Sequence, residues 1–132
     1  MKLFKTTALS LLLATSIFAD SKAEMAQDMR TMLSAMEEIQ TAGFYNNKEG
    51  MHSGVKKLKS GLKTLLSTDA KEYLPDEQAY ANKFAKKNAT MITMYADDLI
   101  DSLNHNKMDD ALENYALILK QCTSCHIRIR SY

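Results

Sequence analysis

Four stretches of the chain place apolar residues three and four positions apart, the spacing that lines up one face of an α-helix. In the first, Met25, Met29, Met32, Met36 and Ile39 form a stripe, and Gly43 is a residue type that ends helices. The second runs from about Asn47 to Leu66 on Met51, Val55, Leu58, Leu62 and Leu65. Gly50, Gly54 and Gly61 each weaken it by about 1 kcal/mol, so tertiary packing must hold it. Ser67 to Asp69 are polar, Pro75 forbids a continuous helix, and Asp76 can cap the next one. The third pattern, Asp76 to Leu103, uses Tyr80, Phe84, Met91, Met94, Tyr95 and Leu99, but Lys87 and Asn88 fall where it wants apolar side chains. Asn104 to Lys107 form a short polar connection. The fourth runs from Met108 through Leu112, Tyr115, Leu119 and Cys122. One Pro and four Gly in 132 residues leave little material for the turns of a β-sandwich. The expected fold is all-α, an antiparallel four-helix bundle.

The N-terminus reads differently. Lys2 and Lys5 precede an apolar run from Ala8 to Phe18, and Ala19 suits a cleavage site, which together predict a signal peptide over residues 1–19. Eleven apolar residues fall well short of the roughly 20 that span a bilayer. Cleavage after Ala23 is the alternative. The expected mature domain is 20–132, without a membrane span and exported to the oxidising periplasm. A formal charge of +1 supplies no basic field, so nucleic acid is not an expected partner.

Both cysteines of the chain fall in Cys122-Thr123-Ser124-Cys125-His126. C-x-x-C-H is the attachment sequence of c-type haem. On a helix, cysteines at i and i+3 share a face, at a spacing that suits thioethers to the two vinyl groups of one porphyrin edge. His126, at i+4 from Cys122, projects from that face as a proximal iron ligand. Three other readings compete with one covalently bound haem c. A redox dithiol normally sits in a βαβ context, absent here. A zinc site needs further ligands, and only His52 and His105 remain. A disulfide between such close neighbours leaves His126 without a role.

Six residues follow His126 and none is Met or His, so a sixth protein ligand must come from upstream. The first helix offers Met25, Met29, Met32 and Met36. A thioether ligates haem iron and raises its potential relative to a second His, while the bland reading of the stripe is core packing. His52 and His105 offer the bis-His alternative.

A signal peptide, four amphipathic helices and C-x-x-C-H near the C-terminus resemble class II cytochromes c, the cytochrome c′ family with its low-spin cytochrome c-556-like relatives. The resemblance covers the expected mature chain in architecture, but only the motif is specific. It implies a monohaem c-type cytochrome carrying single electrons between redox partner proteins, without enzymatic turnover. In low-spin members a methionine early in the first helix binds the iron. Met29, followed by Arg30, resembles that pattern, with Met25 and Met32 one turn away on either side. Arg130, at i+4 from His126, matches the family's basic residue beside the haem, or is a cation at the helix end interacting with its dipole. Members of the cytochrome c′ type instead keep five-coordinate iron that binds nitric oxide or carbon monoxide. The family commonly forms homodimers through its first two helices, a pairing the sequence alone does not establish.

Lys56, Lys59 and Lys63, and likewise Lys83, Lys86 and Lys87, read as solvated helix faces or as docking points for an acidic redox partner. Asp97, Asp98 and Asp101, like Asp109, Asp110 and Glu113, read the same way with opposite sign. No phosphate-binding glycine loop, catalytic triad or distinguished carboxylate pair is present. A haem-free helical interaction protein with an incidental C-x-x-C is the reading that remains outside the cytochrome class.

Overall fold

The computed structural model describes the backbone of residues 8–129 and the side chains of residues 20–129 other than that of residue 79. The described residues are helical, with no strand. The α-helices are α1 (Ala8–Phe44), α2 (Lys48–Ser60), α3 (Lys63–Ser67), α4 (Asn82–Asn104) and α5 (Met108–Ile129), with 3-10 segments at Ala70–Glu72 and Asp76–Ala81. Five helices replace the four expected. The second pattern breaks at Gly61 and Leu62, and the third enters through a 3-10 stretch after Pro75 before α4 begins. α1 runs unbroken through Ala19 and Asp20. No helix of the described residues is long and apolar enough to cross a membrane.

The helix ends explain the connections. α1 runs past Gly43 to Phe44 and ends with Asn46 at φ 51°. Asn47 N–H donates to the Ala42 carbonyl at 2.8 Å and Asn46 N–H to that of Gly43 at 3.1 Å. This pair of bonds is the Schellman arrangement, which needs one left-handed residue, and asparagine tolerates that conformation better than most side chains. α4 ends the same way: Asn106 has φ 60°, Lys107 donates to Ser102 at 2.9 Å and Asn106 to Leu103 at 3.1 Å. Each cap turns the chain directly into the next helix, and Asn47 then caps α2 by accepting from Gly50 N–H at 3.0 Å. The first turn of α3 has no side-chain cap of its own; Asp28 of α1 accepts from Thr64 N–H at 3.0 Å.

Packing follows these turns, α1 against α2 and α4 against α5. Along the first pair, Gly50 lies beside Ala42, Gly54 beside Ile39 and Ala35, and Gly61 beside Met32 and Asp28, so numbers rise along one partner as they fall along the other. A Cβ on Gly54 would stand 2.6 Å from Ile39 Cγ1 and 3.1 Å from its backbone nitrogen, so the missing side chain is what lets the helices meet. Gly43, expected as a helix end, instead makes room for Leu112: a Cβ on Gly43 would stand 3.0 Å from Leu112 Cδ2. The core gathers Ile39, Met51, Val55, Leu58, Leu62, Leu99 and Ile118, and such burial stabilises by roughly 1.5–3 kcal/mol per large side chain.

The apolar faces of α1 and α2 are the expected ones, with Met32, Met36 and Ile39 buried and Met25 and Met29 packed partly buried against them. The face of α4 is the expected one only in part: Leu99 is buried and Phe84 and Tyr95 pack partly buried against the core. Its buried side is Ala85, Asn88, Ala89, Ile92, Ala96, Leu99, Ser102 and Leu103, while Tyr80 and Met94 lie exposed. In α5, Ala111, Ile118 and Ile129 are buried and Leu112 and Leu119 reach solvent. Size misled the sequence reading here: where helix axes come close, alanine is the side chain that fits.

Candidate functional site

α5 runs without a break through the C-x-x-C-H segment, so helical geometry alone sets the spacing of its side chains. Cys122, Cys125 and His126 are all partly buried and line one cavity of about 210 Å³. Facing them on α1 are Met29, Met32, Leu33 and Met36; α4 closes the wall with Ala85, Asn88, Ala89 and Ile92, and α3 adds Leu65. Leu33 and Leu119, at 62% and 45% exposure, stand at the mouth. An apolar cavity with a few convergent polar groups is where a ligand site is sought first.

A second cavity of about 510 Å³ adjoins the first and shares Met29, Leu33, Leu65, Ala85, Cys125 and His126 with it. Its own wall includes Lys22, Met25, Arg30, Tyr73 and Ile129. Met29 is therefore the one methionine that borders both spaces; Met32 and Met36 border only the first, and Met25 only the second.

The two thiols are free of disulfide. Burial, reinforced by its neighbour Cys125, pushes the Cys122 thiol up to about 11, and burial also raises Cys125. Both therefore rest as neutral thiols at ordinary pH, as apolar surroundings require. Tyr73 is raised to about 12, first by burial and then by Cys125 and Asp69. Its hydroxyl is buried without a hydrogen-bond partner among the described residues, a state that costs about 1–3 kcal/mol unless something pairs with it.

Among the described residues no three His, Cys, Asp or Glu side chains converge to hold a metal ion directly. The donors on the cavity wall are two thiols and an imidazole on one helix, with the thioethers of Met29, Met32 and Met36 on the facing one. That set does not suit a bare ion. It suits a planar group that brings its own equatorial ligands, accepts two thioethers at its edge and needs only axial donors. The residues present fit a haem.

His52 and His105 border neither cavity, and the His105 ring nitrogen Nδ1 lies 2.9 Å from the Asp101 carbonyl of its own helix end, so the bis-His alternative is not assembled. Arg130 lies outside the described residues. Arg128 places its guanidinium 4.8 Å over the Phe84 ring. Among the lysines singled out, Lys59 pairs with Asp97 across α2 and α4, while Lys56, Lys63, Lys83 and Lys87 are exposed.

Three features escaped the sequence reading. Asn88 was visible as a fault in the α4 pattern, and it proves to be a buried cavity-wall residue whose Nδ2 donates to the Phe84 carbonyl at 2.8 Å. Ala85 and Ala89 carry no signal beyond helix propensity, yet they create the space. Tyr73 sits in a connection that gave no sign of a pocket. Comparisons with protein-family models, curated proteins and solved structures give no match for this chain.

Proposed function

We propose that the chain is a monohaem c-type cytochrome that carries single electrons, with the haem tethered by Cys122 and Cys125, His126 as proximal ligand and Met29 as distal ligand, in an antiparallel four-helix bundle. The observation that carries this reading is that the C-x-x-C-H face of α5 opens onto an apolar cavity whose opposite wall holds Met29. When bound, the haem supplies an iron that alternates between ferrous and ferric states. The protein's part is to bind, orient and shield. Cys122 and Cys125 anchor one edge covalently. His126 and Met29 approach from facing helices, and Met32, Met36, Leu65 and Ile92 keep water from the intervening space. An apolar, water-poor pocket keeps reorganisation on electron transfer small. Export to the periplasm, with cleavage after Ala19, belongs to the same reading, because covalent tethering suits a compartment in which a lost cofactor is not recovered.

The optical spectrum of both oxidation states tests this directly. A low-spin spectrum with a sulfur-to-iron charge-transfer band is expected in the wild type, and its loss in Met29→Ala. Survival of the band in Met29→Ala with loss in Met25→Ala or Met32→Ala moves the ligand to that residue. A high-spin resting spectrum with rapid carbon monoxide uptake makes the protein a five-coordinate gas binder instead. Colourless protein made with the maturation apparatus present refutes haem attachment.

A further inference from the structure

The two cavities differ in what they offer a bound group. Among the described residues, no Lys, Arg, Asp or Glu borders the smaller one. The wider one is bordered by Lys22, Arg30 and Tyr73 and, among the described residues, by no acidic side chain. The Tyr73 side chain is 9% exposed, and its hydroxyl has no partner among the described residues. The turn that carries it is fixed by main-chain bonds. Ala70 N–H donates to Asn82 Oδ1 at 3.1 Å, and the N–H groups of Tyr73 and Leu74 donate to the Ala70 carbonyl at 3.1 and 2.7 Å. A buried donor held in place beside a cavity with two cations suits an anionic acceptor inside the cavity.

We infer that the Tyr73 hydroxyl donates a hydrogen bond to a carboxylate of the haem, whose charged edge occupies the wider cavity on the side of Lys22 and Arg30. The inference rests on the haem reading above and extends it to the orientation of the porphyrin. A haem is amphiphilic, with two carboxylates on one edge and apolar substituents on the others. Placed the other way, it would bring carboxylates into a space with no cation and leave the Tyr73 hydroxyl against hydrocarbon. In the inferred orientation the exposed ammonium of Lys22 and guanidinium of Arg30 serve a carboxylate from the solvent side, and Tyr73 serves it from the protein side.

Proton NMR of the diamagnetic ferrous holoprotein, with carbon monoxide bound if the iron is five-coordinate, tests the placement in the unmodified chain. Cross-relaxation is expected between the Tyr73 ring and the methylene protons of a haem propionate, with a hydroxyl proton protected from exchange. Contacts from Tyr73 only to haem methyl or vinyl-derived protons would overturn the inference. In Tyr73→Phe holoprotein, the propionate bending band in the resonance Raman spectrum should shift while the axial-ligand bands stay in place. An unmoved propionate band would also overturn it. A chain purified without haem refutes the cytochrome reading itself, whereas a haem-loaded chain with the wrong contacts refutes only the role of Tyr73.

Discussion

Gly54→Ala sets two effects of known size against each other. Alanine in a helix interior is favoured over glycine by about 1 kcal/mol. The added methyl, however, would stand 2.6 Å from Ile39 Cγ1, 3.1 Å from Ile39 N and 3.2 Å from the Ala35 carbonyl oxygen. Ile39 is fully buried and β-branched, so it has few rotamers to retreat into, and two of the three contacts are backbone atoms. Relief requires α1 and α2 to separate. Overpacking costs roughly 1–3 kcal/mol in general, and a backbone clash belongs at the upper end. The net expectation is a loss of about 1–2 kcal/mol, or a fall in Tm of roughly 4–8 °C for a chain of this size. Urea denaturation followed by circular dichroism measures it, with the slope unchanged if only the native state is affected. Because α1 also carries Met29, the separation should weaken the charge-transfer band as well. A variant at least as stable as the wild type would refute the reasoning, since it would mean that the helix pair tolerates a side chain at its closest approach.

Before haem is attached, the raised Cys122 thiol should be slow to alkylate: at pH 8 it holds about a hundredfold fewer thiolates than in the unfolded chain, a ratio that peptide mass spectrometry with iodoacetamide reads with and without urea. Equal rates in the two conditions would contradict the buried placement. The same shift links to stability. Folding raises this pKa from 9.0 to about 11, so the stabilisation is complete below pH 9 and is lost as pH rises towards 11. The loss is on the order of 2 kcal/mol and should be smaller in Cys122→Ser. Asp28→Ala removes the carboxylate that caps α3 from α1, and the expected cost is about 1 kcal/mol, read as a lower denaturation midpoint. No change there would show that water caps Thr64 N–H equally well.

The donor set on α5 was the most legible part of the candidate site. C-x-x-C-H needs only helical geometry to bring two sulfurs and an imidazole to one face, and the helix through Cys122 and His126 is local structure. The apolar stripes of α1 and α2 were legible for the same reason: large side chains at steps of three and four must be buried together. Patterns on α4 and α5 were harder to read. Hydrophobic size pointed to Tyr80 and Met94, which are exposed, whereas the buried face is built on alanines that hydropathy hardly separates from surface positions. Asn88 looked like an error in the pattern because a single helix cannot show that it borders a cavity. Gly43 looked like a stop signal, but the left-handed turn fell to Asn46, and Gly43 was needed where Leu112 crosses.

Local rules act on neighbours along the chain, and they sufficed for the helical class, the donor set on α5 and the methionine stripe of α1. Which of those methionines borders the whole site depends on the relative position of helices almost a hundred residues apart in sequence. So does the existence of the cavity, since the space comes from alanines on α4, and the buried hydroxyl of Tyr73 comes from the connection between α3 and α4. No periodicity encodes such distances. They are settled only when glycine and alanine let particular backbones approach and bulkier side chains hold others apart.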